Sequence, residues 1–174
     1  TLNVDSLMKD FLGGYYGPAW GKIYEYIDQM TLALEKSGEK LNIFGHPYDA
    51  VEGYLSPGMI RKYNRIFDEA EKKAGASRKY YNRVLQARLP LQYAMLEIAK
   101  WYGSDKNGVF EKAGRDHWLV KTDVMTLLDT FVNRSTRAGI ERLSEWGVSP
   151  VQYRAAYHDY MDKSYHARKT AAIH

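Results

Sequence analysis

The 174-residue sequence predicts an all-α fold: a single helical bundle of about six helices, one of them long and kinked at Pro90. Three observations predict it. Apolar residues recur at steps of three and four along most of the chain, the period of an amphipathic helix. Helix punctuation falls where such runs begin and end, with Ser or Asn before them, Pro in the first turn and Gly after. No run alternates apolar and polar residues for more than a few positions, so nothing reads as a strand.

The elements follow in order. Asn3 can cap a short first helix to about Leu12, with Asp5 well placed in its first turn and Gly13-Gly14 expected to weaken it. Pro18 sits where a helix can begin, because its missing N–H would be unpaired there in any case. From there Ala19, Ile23, Tyr26, Ile27, Met30 and Leu34 mark one apolar face, and Gly38 closes the helix in a left-handed turn. Glu39 to Ser56, with Gly45, Pro47 and Gly53, has no helical period and reads as a long loop. Ser56-Pro57 restarts helix, carried by Ile60, Tyr63, Phe67, Ala70 and Ala74 and stopped at Gly75.

Ser77 caps the long fourth helix, which runs to about Tyr102 before Gly103. Tyr81, Leu85 and Leu89 give its first half a face, and Leu91, Met95, Ala99 and Tyr102 its second. Pro90 lies between the halves and removes one hydrogen bond, so a bend is expected rather than two helices. A turn-rich stretch covers Ser104 to Gly108, and Val109 to Trp118 has no clear period. Val120, Val124, Leu127, Leu128 and Phe131 define a fifth helix. Ser149-Pro150-Val151-Gln152 is a capping-box start for the last, whose buried face is Tyr153, Tyr157, Tyr160 and Met161. With no repeat or low-complexity linker, residues 1–174 read as one domain.

Composition narrows function mainly by exclusion. The chain has no cysteine, which removes disulfides and thiolate chemistry. No stretch approaches the roughly 20 apolar residues that cross a bilayer, and Lys9 and Asp10 interrupt the first apolar run, so it is no signal peptide. Without an initiating Met, the chain is expected to be a mature or excised piece, any export signal lying upstream. Its 25 basic residues are interleaved with 21 acidic ones, which argues against a nucleic-acid partner despite the net charge of +4. The densest basic stretch, Arg154, Lys163, Arg168 and Lys169, reads as solvated helix face. Tyrosine stands out, with 15 against 5 Phe; a ring with a hydroxyl suits positions between core and water, and also sugar contacts.

No constellation carries a reaction. Asp49 and Glu52 are the loop acids a glycosidase pair would need, but they read as solvated. His158, Asp162 and His166 stand four residues apart on one helix face and could chelate in neighbouring pairs, yet a polar ladder facing water is the better reading. His46 and His117 are isolated, and neither metal nor cofactor is expected. There is no nucleophile elbow and no phosphate loop. Gly13, Gly14 and Gly17 precede a helix rather than follow a strand, which removes the dinucleotide reading.

That glycine cluster, extended to Phe11-Leu-Gly-Gly-Tyr-Tyr-Gly-Pro-Ala19, resembles the start of the helical region in the bacterial domain of unknown function 4838 family. Leu55-Ser-Pro-Gly-Met59 leading into Phe67-Asp-Glu-Ala70 is similar to the same family, as is Arg83-Val-Leu-Gln-Ala-Arg-Leu-Pro-Leu-Gln-Tyr93. Asn133-Arg134 to Glu145, then Ser149-Pro150 and Tyr153, is similar but less specific. The resemblance implies a helical region following a barrel like those of α-glucuronidases and β-hexosaminidases, in secreted, periplasmic or cell-surface proteins of polysaccharide-degrading bacteria. The barrel, with any catalytic carboxylates, is not in this chain, so no catalytic residue is carried over. The expected role is a non-catalytic scaffold or accessory domain. Tyr15, Tyr16, Gly17, Pro18 and Trp20 would brace the preceding barrel or shape the rim of its cleft, leaving an exposed apolar patch there. The alternative is a glycan-binding module in which His46, Tyr48, Tyr54, Trp101 and Trp118 stack on an oligosaccharide.

Overall fold

A computed structural model describes residues 3–42, 45–114, 117–144 and 147–171, with side chains as far as 165. The fold is mostly all-α. The described residues form six α-helices: α1 (Val4–Tyr16), α2 (Trp20–Ser37), α3 (Pro57–Ala74), α4 (Arg78–Tyr102), α5 (Thr122–Arg137) and α6 (Pro150–Ala171). Two three-residue strands, β1 (Phe110–Lys112) and β2 (Trp118–Val120), pair antiparallel with Phe110 opposite Val120. The chain divides into two compact units, Thr1–Leu91 and Gln92–His174, the division falling one residue beyond Pro90 inside α4.

Local signals set the helix ends. The Asn3 side chain accepts from the N–H groups of Asp5 and Ser6, satisfying two donors that α1 cannot pair internally. Gly38 closes α2 in a left-handed conformation (φ 69°). At α6 the capping box is reciprocal: Ser149 N–H donates to Gln152 Oε1 at 2.9 Å, and Gln152 N–H to Ser149 Oγ at 3.2 Å. Within the long loop, Pro47–Ala50 makes one 3₁₀ turn.

Three expectations are corrected. Gly13 and Gly14 do not end the first helix, which runs on to Tyr16 and stops at Gly17 (φ 53°). The glycine penalty of about 1 kcal/mol each is overridden, because Gly17 supplies the turn and its N–H caps the Gly13 carbonyl. Val120 belongs to β2 rather than the fifth helix. On α4, Tyr81 and Leu85 are only half-buried, while Val84, Leu96 and Ile98 lie in the core.

In the first unit α1 packs on α2 and α2 on α3. Its core holds Leu12, Ala19, Ile23, Tyr63, Ile66, Phe67 and Ala70. Tyr26 lies across two of these rings, 5.3 Å from Tyr63 and 4.7 Å from Phe67. Arg88 ties α4 to α3: Nη1 donates to Asp68 Oδ1 (2.8 Å) and Glu71 Oε1 (2.7 Å), and Nη2 to Asn64 Oδ1 (2.6 Å).

Burial pushes the Tyr26 hydroxyl up to about 12. Burial likewise lifts Tyr63 to about 12, with smaller contributions from Tyr26 and Tyr54. Below the ordinary value of 10.0 both phenols are neutral whether folded or unfolded. Above it the unfolded chain ionises first, so the stability these groups contribute is lost as pH rises from about 10 to about 12. We expect alkaline unfolding of this unit in that window, with part of the tyrosinate absorbance appearing only on unfolding. Full tyrosinate absorbance at pH 10.5 with the fold intact would contradict it.

In the second unit α5 packs on α6, around Leu96, Val109, Phe110, Leu128, Phe131, Tyr153, Tyr157 and Met161. Three α6 tyrosines reach α4. Tyr153 Oη donates to Glu97 Oε1 (2.6 Å), Tyr157 Oη to the Leu96 carbonyl (3.0 Å) and Tyr160 Oη to the Lys100 carbonyl (2.9 Å). This accounts for part of the tyrosine excess: phenylalanine would fill the same volume without the bond.

Candidate functional site

The aromatic turn predicted around residues 15–20 is a built feature. Gly17 is glycine by necessity, since a Cβ there would lie 2.5 Å from the Tyr80 ring and its φ is positive. The Arg83 guanidinium lies 4.0 Å over the Tyr15 ring, and Nη1 donates to the Tyr15 carbonyl at 2.7 Å. One group thereby stacks on the ring and satisfies a carbonyl at the end of α1. Tyr16 meets Tyr15 edge-on at 4.9 Å. Its hydroxyl is raised above the ordinary range by burial first and by Tyr15 next, against an opposing pull from Arg83. Pro18 and Trp20 are exposed.

The turn continues into an outward face of α1. Phe11 stacks on Tyr15 with ring centroids 5.5 Å apart and planes 16° from parallel. Val4, Leu7 and Phe11, at steps of three and four, are 71%, 52% and 62% exposed, and Trp20 is 37% exposed. These three therefore share one side of the helix, while Leu12 points into the core. Gly14 lies next along the same line, and nothing stands within 4 Å of where its Cβ would be. Sequence reasoning placed the patch at 15–20 and missed Val4 and Leu7. The signal was present: Val4, Leu7, Met8, Phe11, Leu12 and Tyr15 wrap too far around one helix for a single core face.

The glycan-binding candidates divide between the units. In the first, the His46 and Tyr48 rings stack 4.8 Å apart at 14°, and the His46 N–H donates to Asp49 Oδ2 at 2.7 Å. Asp49 thus closes the turn that carries the two rings, and Glu52 is exposed. Tyr54 is half-buried, its carbonyl accepting from Tyr63 Oη at 2.9 Å. Burial first, then the charge of Glu39, raises its hydroxyl. In the second unit, Trp101 is 61% exposed on the last turn of α4. Trp118 is half-buried on β2, opposite Lys112, whose ammonium lies 6.0 Å from the indole.

Among the described residues no three His, Asp or Glu side chains gather as a metal site. His158 is half-buried, and His117 and Asp162 are exposed. The side chains of His166, Arg168 and Lys169 lie outside the described residues. Of the basic stretch, Arg154 pairs with Asp129 at 2.6 Å and Lys163 with Asp159 at 2.7 Å. No described helix is long and apolar enough to cross a membrane. No protein-family model matches the chain, and no curated protein or solved structure matches it.

Proposed function

We propose that this chain is a non-catalytic scaffold or accessory domain of a carbohydrate-active, glycoside hydrolase-like protein, and that the outward face of α1 docks on the companion barrel of that protein. The observation that carries the reading is the exposed line Val4, Leu7, Phe11, continued by the Phe11–Tyr15 stack. Apolar residues at helical spacing have no reason to face water together unless something covers them. Val4, Leu7 and Phe11 carry no titratable group and supply contact area, which suits bracing. The segment that resembles the 4838 family, Phe11 to Ala19, begins on this line and runs through the turn. The export inferred from that resemblance belongs to the same proposal.

The test is a Leu7→Asp/Phe11→Asp pair, made both in the isolated chain and in the parent protein. Both side chains already face solvent, so the isolated chain should keep its melting temperature. The parent should melt earlier and lose turnover as its barrel loses support. Unchanged melting and turnover in the parent would remove the docking role.

The His46–Tyr48 stack beside Asp49 favours a second reading, a glycan-binding module that presents aromatic rings next to a carboxylate. Titration calorimetry with a panel of oligosaccharides separates the two. Binding heat that disappears in Tyr48→Ala supports the module, and no heat for any sugar eliminates it.

A further inference from the structure

The turn between α4 and β1 contains Asn107-Gly108, the chain's one Asn-Gly step. We propose that this step is a latent modification site, a spontaneous deamidation site that Lys121 holds closed.

The chemistry needs only water. The Gly108 main-chain nitrogen, once it loses its proton, can attack Cγ of the Asn107 side-chain amide. A new N–C bond forms, the bond to the amide nitrogen breaks, and ammonia leaves with a proton. Water then adds to either carbonyl of the resulting succinimide. The products are an aspartate, or an isoaspartate whose main chain runs through the former side chain. One water enters, one ammonia departs, and position 107 gains a negative charge. Glycine makes the step accessible, because no Cβ hinders the attacking nitrogen.

The fold opposes the first event. Gly108 is buried, and its N–H donates to the Asp105 carbonyl at 2.8 Å. The Phe110 N–H donates to the Gly103 carbonyl at 2.9 Å, and the Lys121 N–H to the Val109 carbonyl at 2.9 Å. The Lys121 ammonium then binds the outside of the turn, 2.7 Å from the Lys106 carbonyl and 3.3 Å from that of Asp105. The carbonyl that occupies the Gly108 proton is therefore one that Lys121 holds. Asn107 itself is exposed, so water reaches the amide whenever the turn opens. Isoaspartate would strain the turn once formed. Its extra main-chain carbon enters between Cα of residue 107 and the Gly108 nitrogen, and shifts a Gly108 that already lies against the Gly103 main chain too closely to carry a Cβ. The reaction would open the turn and release Lys121.

The experiment follows deamidation at position 107 by peptide mapping and mass spectrometry in the intact chain, in a peptide spanning 104–111, and in Lys121→Met. Folded wild type should react at least about tenfold more slowly than the peptide, the factor that about 1.4 kcal/mol of local opening supplies. Lys121→Met should react several-fold faster than wild type. A wild-type rate equal to the peptide's, or a folded Lys121→Met reacting at the wild-type rate, overturns the proposal. Hydrogen exchange in the wild type gives an independent check should that variant not fold. Exchange and succinimide formation both remove the Gly108 amide proton, so the two should be slowed by the same factor. A clear mismatch also overturns it.

Discussion

Replacing Tyr157 by alanine is expected to cost the second unit about 4 kcal/mol, within the range for deleting a buried aromatic side chain. Tyr157 is 1% exposed, its ring 5.9 Å from that of Tyr153 and 6.1 Å from that of Tyr160. The Lys100 ammonium lies 5.4 Å from its centroid. Alanine removes the ring from this cluster and leaves a cavity that helix-borne neighbours cannot fill. Tyr157→Phe separates the two contributions, since it keeps the ring and loses only the 3.0 Å bond to the Leu96 carbonyl. That bond is neutral on both sides and should be worth about 1 kcal/mol. Urea denaturation of the two variants should therefore differ several-fold in free energy lost. Equal losses would mean that the hydroxyl, not the ring, carries the site.

Arg88→Ala should be nearly as damaging to the first unit, at about 3 kcal/mol, the lower end for breaking a buried ion pair. The Arg88 side chain is 12% exposed and that of Glu71 16%, so this pair is poorly screened, whereas Asp68 is 65% exposed and adds little. The alanine variant withdraws the cation from a shielded carboxylate and from Asn64 together. Arg88→Met keeps an aliphatic stem but loses the guanidinium, 5.8 Å from the Phe67 ring, and still strands the carboxylate, so it should recover only part of the loss. If Asp68→Ala proved as costly as Arg88→Ala, the exposed partner would carry the bridge and this apportionment would be wrong.

The two residues are not equally visible in the sequence. Tyr157 follows from its spacing with Tyr153 and Met161 on a helix whose start, Ser149 to Gln152, is spelled out locally. Its acceptor, a main-chain carbonyl some sixty positions earlier, has no sequence signature. Arg88 looks like any charged helix residue, because its partners lie across a turn on α3. The α4 face is legible only in part, at Leu89, Leu91 and Ala99, for a related reason. From Leu91 to Ala99 the helix is buried on several sides, Gln92 included, and no single stripe survives to be read. The strands escaped because three residues are too few to show alternation. At the candidate site the glycines and tyrosines of residues 13–17 announced an unusual turn. What they could not reveal was that the apolar residues just before it turn outward, since periodicity gives a face but not what the face meets.

The hydroxyl ladder from α6 to α4 makes the two helices unequal under mutation. At two of its three rungs the acceptor is a peptide carbonyl, which every amino acid provides. Drift at Leu96 or Lys100 thus leaves those acceptors in place, whatever other contacts it disturbs. The donors at Tyr157 and Tyr160 have no such freedom, because no other natural side chain puts a hydroxyl at the far end of a six-membered ring. Saturation mutagenesis would find the burden of specificity concentrated on one side of a contact that geometry alone would call shared.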